Sequence, residues 1–222
     1  MKMLRYPNRR TSRLAIGAAC LFVLVPTRSP AADLPVQPTL KGTLVQSNIQ
    51  PPSMPPEVGR YLYGPTSASR QFEFLIGDWD VDAARLIPDG SVLFRYRATW
   101  AATYLNEGRM VMDDFKALAP DGRPISSYVT LRTYSEVSGR WEMSGLAALQ
   151  PAGAMEWHGV WTGTEMLIDA AGVDPSGRSI RTKIRFSNIT HSGFAWESEA
   201  SADDGKTWTR TASLLATRAA AR

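Results

Sequence analysis

From Phe72 onward apolar and polar residues alternate with a period of two, and no long stretch carries a helical period. That spacing places successive side chains on opposite faces of an extended strand. Phe94, Tyr96, Ala98, Trp100, Ala102 and Tyr104 fall on one face, with Arg95, Arg97 and Thr99 on the other. Ile180, Thr182, Ile184 and Phe186 oppose Arg181, Lys183 and Arg185, and Phe194, Trp196, Ser198 and Ala200 oppose Glu197 and Glu199. Turn-forming runs punctuate the alternation: Pro88-Asp-Gly90, Asn106-Glu-Gly108, Pro120-Asp-Gly122, Pro175-Ser-Gly177 and Asp203-Asp-Gly205. Together they predict about ten strands, at 78–86, 91–105, 108–118, 125–134, 140–148, 154–162, 165–172, 178–188, 193–200 and 207–217. Short connections make consecutive strands antiparallel neighbours, and closing the sheet on itself removes two exposed edges. The expected fold is all-β, an antiparallel up-and-down barrel of about ten strands spanning 71–218, with a short tail at 219–222.

The chain ahead of the barrel has another character. Lys2, Arg5, Arg9, Arg10 and Arg13 precede an apolar run from Leu14 to Val25, and Ser29-Pro30-Ala31 offers a small-residue cleavage site. The run is shorter than the about 20 residues a membrane helix needs, so 1–31 reads as a signal peptide cleaved after Ala31. Arg9-Arg10 leaves a twin-arginine route open beside the general one, and Cys20 leaves lipidation open. A periplasmic or secreted location follows as an expectation. Residues 32–70 hold Pro51-Pro52 and Pro55-Pro56 among few large apolar side chains and read as a linker or extended arm, with Tyr61 and Tyr63 placed to pin it.

Charge and cysteine change meaning once the signal is set aside. Six of the 25 Lys and Arg precede residue 32 and none of the 21 Asp and Glu do, so the rest carries 19 positive and 21 negative charges, a net of −2. The basic balance therefore belongs to the precursor, and no nucleic-acid partner is implied. The single cysteine lies in the signal, so the mature chain has no disulfide, thiol nucleophile or thiolate metal ligand, and no transmembrane segment is expected in it.

Gly77-Asp78-Trp79 at the head of the first strand, with Ala216-Thr217-Arg218 at the end of the last, resembles the calycin superfamily of lipocalins and their relatives. The resemblance implies that Trp79 packs across the closed end of the barrel and Arg218 lies over its ring, with Gly77 permitting the bend. "FEFLIGDWDV", "LRTYSEVSGRWEM" and "IRFSNITHSGFAWESEASADDGKTW" are similar to an uncharacterised bacterial family of exported lipocalin-like barrels, a domain of unknown function, which implies fold and compartment and no activity. Ser201, Asp203, Gly205, Thr207 and Trp208 fit the Asp-box spacing of sialidase propellers. One copy in a chain too short for a propeller reads as a structural hairpin: a carboxylate accepting turn N–H groups, a glycine at positive φ and a tryptophan packed beneath.

Candidate chemistry is sparse. His158 and His191 lack the paired spacing of a strand metal site, and His158 alternates with Trp157 and Trp161 and so faces away from them. No metal or cofactor is expected. Asp113 and Asp114 are neighbours on a strand and point to opposite faces, so they form no dyad. Glu197 and Glu199 share a face and read as an exposed ion row with Arg181, Lys183 and Arg185. The unusual quantity is tryptophan: all seven lie in the predicted barrel. A barrel of about ten strands is wide enough to leave its interior unfilled, so Tyr96, Trp100, Trp141, Met143, Trp157, Trp161 and Trp196 are candidates to line a ligand cavity, with core packing as the alternative. Arg132 alternates with Tyr128 and Tyr134. Facing inward it would meet a ligand carboxylate, and outward it would be a surface charge, since Val129, Leu131 and Thr133 also make an acceptable core face. Three functions follow: a barrel binding a small apolar or aromatic molecule, an isomerase or hydrolase using a barrel pocket, and an envelope interaction module with a filled barrel. Neither ligand identity nor oligomeric state follows from the sequence.

Overall fold

The computed structural model describes residues 65–148, 155–173 and 177–220, so the expected signal peptide and most of the expected arm, including Tyr61 and Tyr63, lie outside the described residues. Ten strands follow one another: β1 (Gly77–Leu86), β2 (Val92–Leu105), β3 (Met110–Leu118), β4 (Pro124–Ser135), β5 (Arg140–Ala147), β6 (Met155–Trp161), β7 (Met166–Val173), β8 (Ser179–Ser187), β9 (Gly193–Ser201) and β10 (Thr209–Arg218). Each is antiparallel to its sequence neighbours, and β1 pairs with β10 to close the barrel. The alternation in the sequence thus becomes an inner and an outer wall, and each predicted strand coincides with an observed one.

Cross-strand register settles which face is which. Trp79 pairs with Trp100, Trp100 with Phe115, Val111 with Arg132 and Arg132 with Met143, so these side chains share the inner wall. Arg132 therefore faces inward with Tyr128, Thr130 and Tyr134, whereas Leu131 is exposed on the outer wall. Asp113 is inside at 1% exposure, while Asp114 is outside beside Lys116 at 2.6 Å, the opposite orientations that strand geometry requires.

One end of the barrel is plugged. Two 3-10 turns, Ser67–Arg70 and Glu73–Leu75, lie ahead of β1 and bury Phe72 and Leu75 completely. Part of the predicted arm, residues 67–70, thus forms structure with the barrel, and Ser69 is buried within it. Phe72 meets Trp141 edge to face at 4.7 Å, and Phe74 stacks on Trp161 at 6.1 Å. Phe186 and Phe194 join the cluster at 5.6 Å. Aromatic pairs of this kind add about 0.5–1.5 kcal/mol each beyond their buried area.

Candidate functional site

The closed end is built as the opening and closing motifs imply. Trp79 is 1% exposed, and its indole N–H donates to the Leu75 carbonyl at 2.8 Å. The Arg218 guanidinium lies 4.2 Å from the ring centroid and donates to the Ile76 carbonyl at 3.1 Å and the His191 carbonyl at 2.7 Å. Gly77 has φ of 116°, and a Cβ there would come within 2.5 Å of Arg218 Nη1, so both backbone conformation and space require glycine. The Asp-box hairpin is likewise satisfied from within. Asp203 accepts from the Thr207 N–H at 2.9 Å and its hydroxyl at 2.6 Å, the Gly205 N–H donates to Ser201 Oγ at 2.8 Å, and Trp208 donates to the Gly205 carbonyl at 3.0 Å. These bonds hold the Asp203 carboxyl well below its ordinary range, the Thr207 side chain contributing most. Lys183 closes over Trp208 at 3.8 Å.

Above the plug sits a polar group sealed inside the apolar wall. Trp100 donates to Asp113 Oδ1 at 2.7 Å, Asp113 Oδ2 pairs with Arg132, and the Arg132 guanidinium lies 5.0 Å over the Phe72 ring. Arg132 is 4% exposed, and burial pushes its guanidinium below its usual range. The anion that Arg132 meets is this chain's own Asp113.

The eight candidate lining residues divide between two levels. Trp100, Trp141, Met143 and Arg132 are buried in the filled half, where Trp141 donates to Gln71 Oε1 at 3.0 Å. Trp161 is half-buried there against Phe74. Tyr96, Trp157 and Trp196 belong to the other half and stay partly exposed although strand parity points them inward. Tyr96 and Trp196 share a row across Ala83 and Leu214, and Trp157 meets Tyr128 edge to face at 5.6 Å. Phe115, Tyr128 and Ile184 also point inward in this half and are partly exposed, which the alternation in β3, β4 and β8 would have allowed one to read. Two glycines shape it. A Cβ at Gly145 would collide with the Tyr128 hydroxyl and the Trp157 ring, and one at Gly159 would stand 3.0 Å from Met143 Cε. A glycine inside a strand is the sequence signal of such a close approach.

Hydrogen bonding divides the tryptophans differently from depth. Trp79, Trp100, Trp141 and Trp208 each donate their indole N–H within the protein, whereas Trp157, Trp161 and Trp196 have no such bond among the described residues. An open cavity of ≈ 370 Å³ lies on the outside of β1 and β2, lined by the outward-facing Asp82, Arg95 and Arg97 together with Ala83 and Tyr96.

On the outer wall His158 Nδ1 lies 2.6 Å from Glu142 Oε2, and Asp169 is its cross-strand partner on the other side. The sequence reading missed these flanking carboxylates, because the residues come together only through the register of β5, β6 and β7. Glu142 also accepts from Arg140 at 2.9 Å and Ser138 at 2.7 Å, and these bonds, led by that from Arg140, hold its carboxyl down at about 2. No group of His, Cys, Asp and Glu among the described residues is arranged to hold a metal ion. The Glu197 and Glu199 row faces β8 as expected, with Arg185 opposite Glu197 and Lys183 opposite Glu199. The charge pairs nevertheless differ: Arg210 takes Glu197, and Arg185 takes Glu165 at 2.5 Å.

Closed barrel, plugged end and the tryptophan–arginine closure define a calycin-type, lipocalin-like barrel. Comparison with one solved structure agrees at the level of fold, and two others were found at lower similarity. Rv2717c from M. tuberculosis is 16% identical, with 70% of this chain and 99% of that one covered and a TM-score of 0.50. The S-type phycobiliprotein lyase CPES from Guillardia theta is 14% identical over 72% and 97%, with a TM-score of 0.47. A protein of unknown function from the DUF3598 family of Nostoc punctiforme is 9% identical over 69% and 100%, with a TM-score of 0.23. No protein-family model matches the chain, and no curated protein matches it in sequence.

Proposed function

We propose that this protein is an exported barrel that holds a small, mostly apolar or aromatic molecule in the half-open end of its interior. The carrying observation is the contrast between the two halves. At the plugged end Trp79, Trp100 and Trp141 are buried and their indole N–H groups engaged. Toward the mouth Tyr96, Phe115, Tyr128, Trp157 and Trp196 face inward, remain partly exposed, and include two indoles whose N–H groups have no partner among the described residues. Large rings held on rigid strands present apolar area with little ordering entropy to lose, and a free N–H at the edge gives a ligand one directional contact. The export part of the reading rests on the basic, apolar and small-residue order of residues 1–31.

The test has two stages. Mature protein purified from its own host is weighed intact under native conditions, and tryptophan fluorescence is then titrated with a lipid and aromatic panel. A co-purifying small molecule, or saturable quenching that weakens at least tenfold in Trp157→Leu, is the expected result. No bound mass and no saturable quenching across the panel would overturn the proposal.

A further inference from the structure

Inner-wall positions carry few charges, and their placement constrains what the interior can receive. Among the described residues, strand parity points four charged side chains inward: Arg85, Asp113, Arg132 and Arg218. Asp113 and Arg132 are paired with each other and sealed. Arg218 is spent on Trp79 and two backbone carbonyls at the closed end. Arg85 stands at the opposite end, in the last inward position of β1, between its cross-strand partners Phe94 and Ala212. It is half-buried and has neither an ion pair nor a hydrogen bond among the described residues. Asp89, in the adjoining turn, is engaged by the Ser91 N–H at 2.8 Å.

We propose that the ligand is an amphiphile bound head outward, with its apolar or aromatic body among Tyr96, Trp157 and Trp196 and a single anionic group, carboxylate or sulfonate, held at the mouth by Arg85. The inference rests on the reading of the open half as a ligand cup. An anion driven to the floor would meet an Arg132 whose charge Asp113 already balances, and would be desolvated there without a counter-ion. At the lip an anion keeps part of its water and meets an unpaired guanidinium. Phe94, 5.8 Å from Tyr96, carries the aromatic lining out to the same point.

A matched pair of probes tests this on the mature protein: 8-anilinonaphthalene-1-sulfonate, and the neutral N-phenyl-1-naphthylamine, which has the same rings and no sulfonate. Both are expected to bind saturably, the sulfonate more tightly. Arg85→Gln should weaken the sulfonate about three- to fivefold, the scale of one half-exposed charge pair, and leave the neutral probe unchanged. Raising salt to roughly 0.5 M should act in the same direction. Arg185→Gln, on the outer wall beside the β6–β7 turn at the closed end, controls for general loss of positive charge and should change neither probe. Equal binding of both probes, or a sulfonate affinity indifferent to Arg85→Gln, overturns the head-outward inference while leaving the cup intact. Failure of the neutral probe to bind at all overturns the cup.

Discussion

Replacing Asp113 by Asn isolates the energetics of the sealed ion pair. The amide keeps an oxygen for the Trp100 N–H, which sits 2.7 Å from Asp113 Oδ1, so that bond survives and the charge alone is removed. Arg132, at 4% exposure, is then left without a counter-charge inside an apolar wall. Removing one partner of a buried pair costs about 3–5 kcal/mol, because the survivor's desolvation is no longer offset. Against a total of roughly 5–15 kcal/mol for a domain, that is a large fraction of the stability. The assay is equilibrium urea unfolding followed by tryptophan fluorescence, with the slope compared between variants so that a change in midpoint reads as a change in stability. Asp113→Asn/Arg132→Met removes both charges and leaves a flexible apolar chain on Phe72. It should recover at least about 2 kcal/mol of the loss, since an apolar replacement of a buried pair is often neutral or better. A single variant within about 1 kcal/mol of wild type would refute the reasoning, as would a double variant no more stable than the single one.

Two further outcomes follow from the same structure. Trp79→Ala should cost about 3–5 kcal/mol, measured by thermal or urea unfolding, because it empties a fully buried site beneath Arg218 and beside Phe194. Full stability combined with lost ligand binding in that variant would contradict the closure role. On the outer wall the Glu142 carboxyl is lowered from 4.5 to about 2, first by Arg140. Its contribution is therefore present above about pH 4.5 and lost as pH falls toward 2. Glu142→Gln should flatten that part of the stability–pH curve by about 1 kcal/mol or less, given its partial exposure, and an unchanged curve would count against the assignment.

Alternation and turn chemistry were enough to read ten strands, their order and the closure of the barrel, because a period of two and short hairpins leave few topologies. The spacing of Ser201 to Trp208 also indicated a self-contained hairpin, whereas the pairing of Trp79 with Arg218 was implied by the resemblance to calycins and not by local pattern. Which tryptophans are filler and which remain available was not legible. Trp141 and Trp157 are alike in composition and parity; only the plug formed by Phe72 and Leu75, which closes one end and not the other, separates them. Arg132 was undecidable for a similar reason: both faces of β4 carry apolar residues, and the inward choice is made by register with β3, which brings Asp113 to it. Period and punctuation are properties of neighbours in sequence, and so the strands and their order were written there. The depth of a side chain in the barrel, and the charge it meets, depend on strand stagger and on the plug entering one end, and tertiary structure alone decides them.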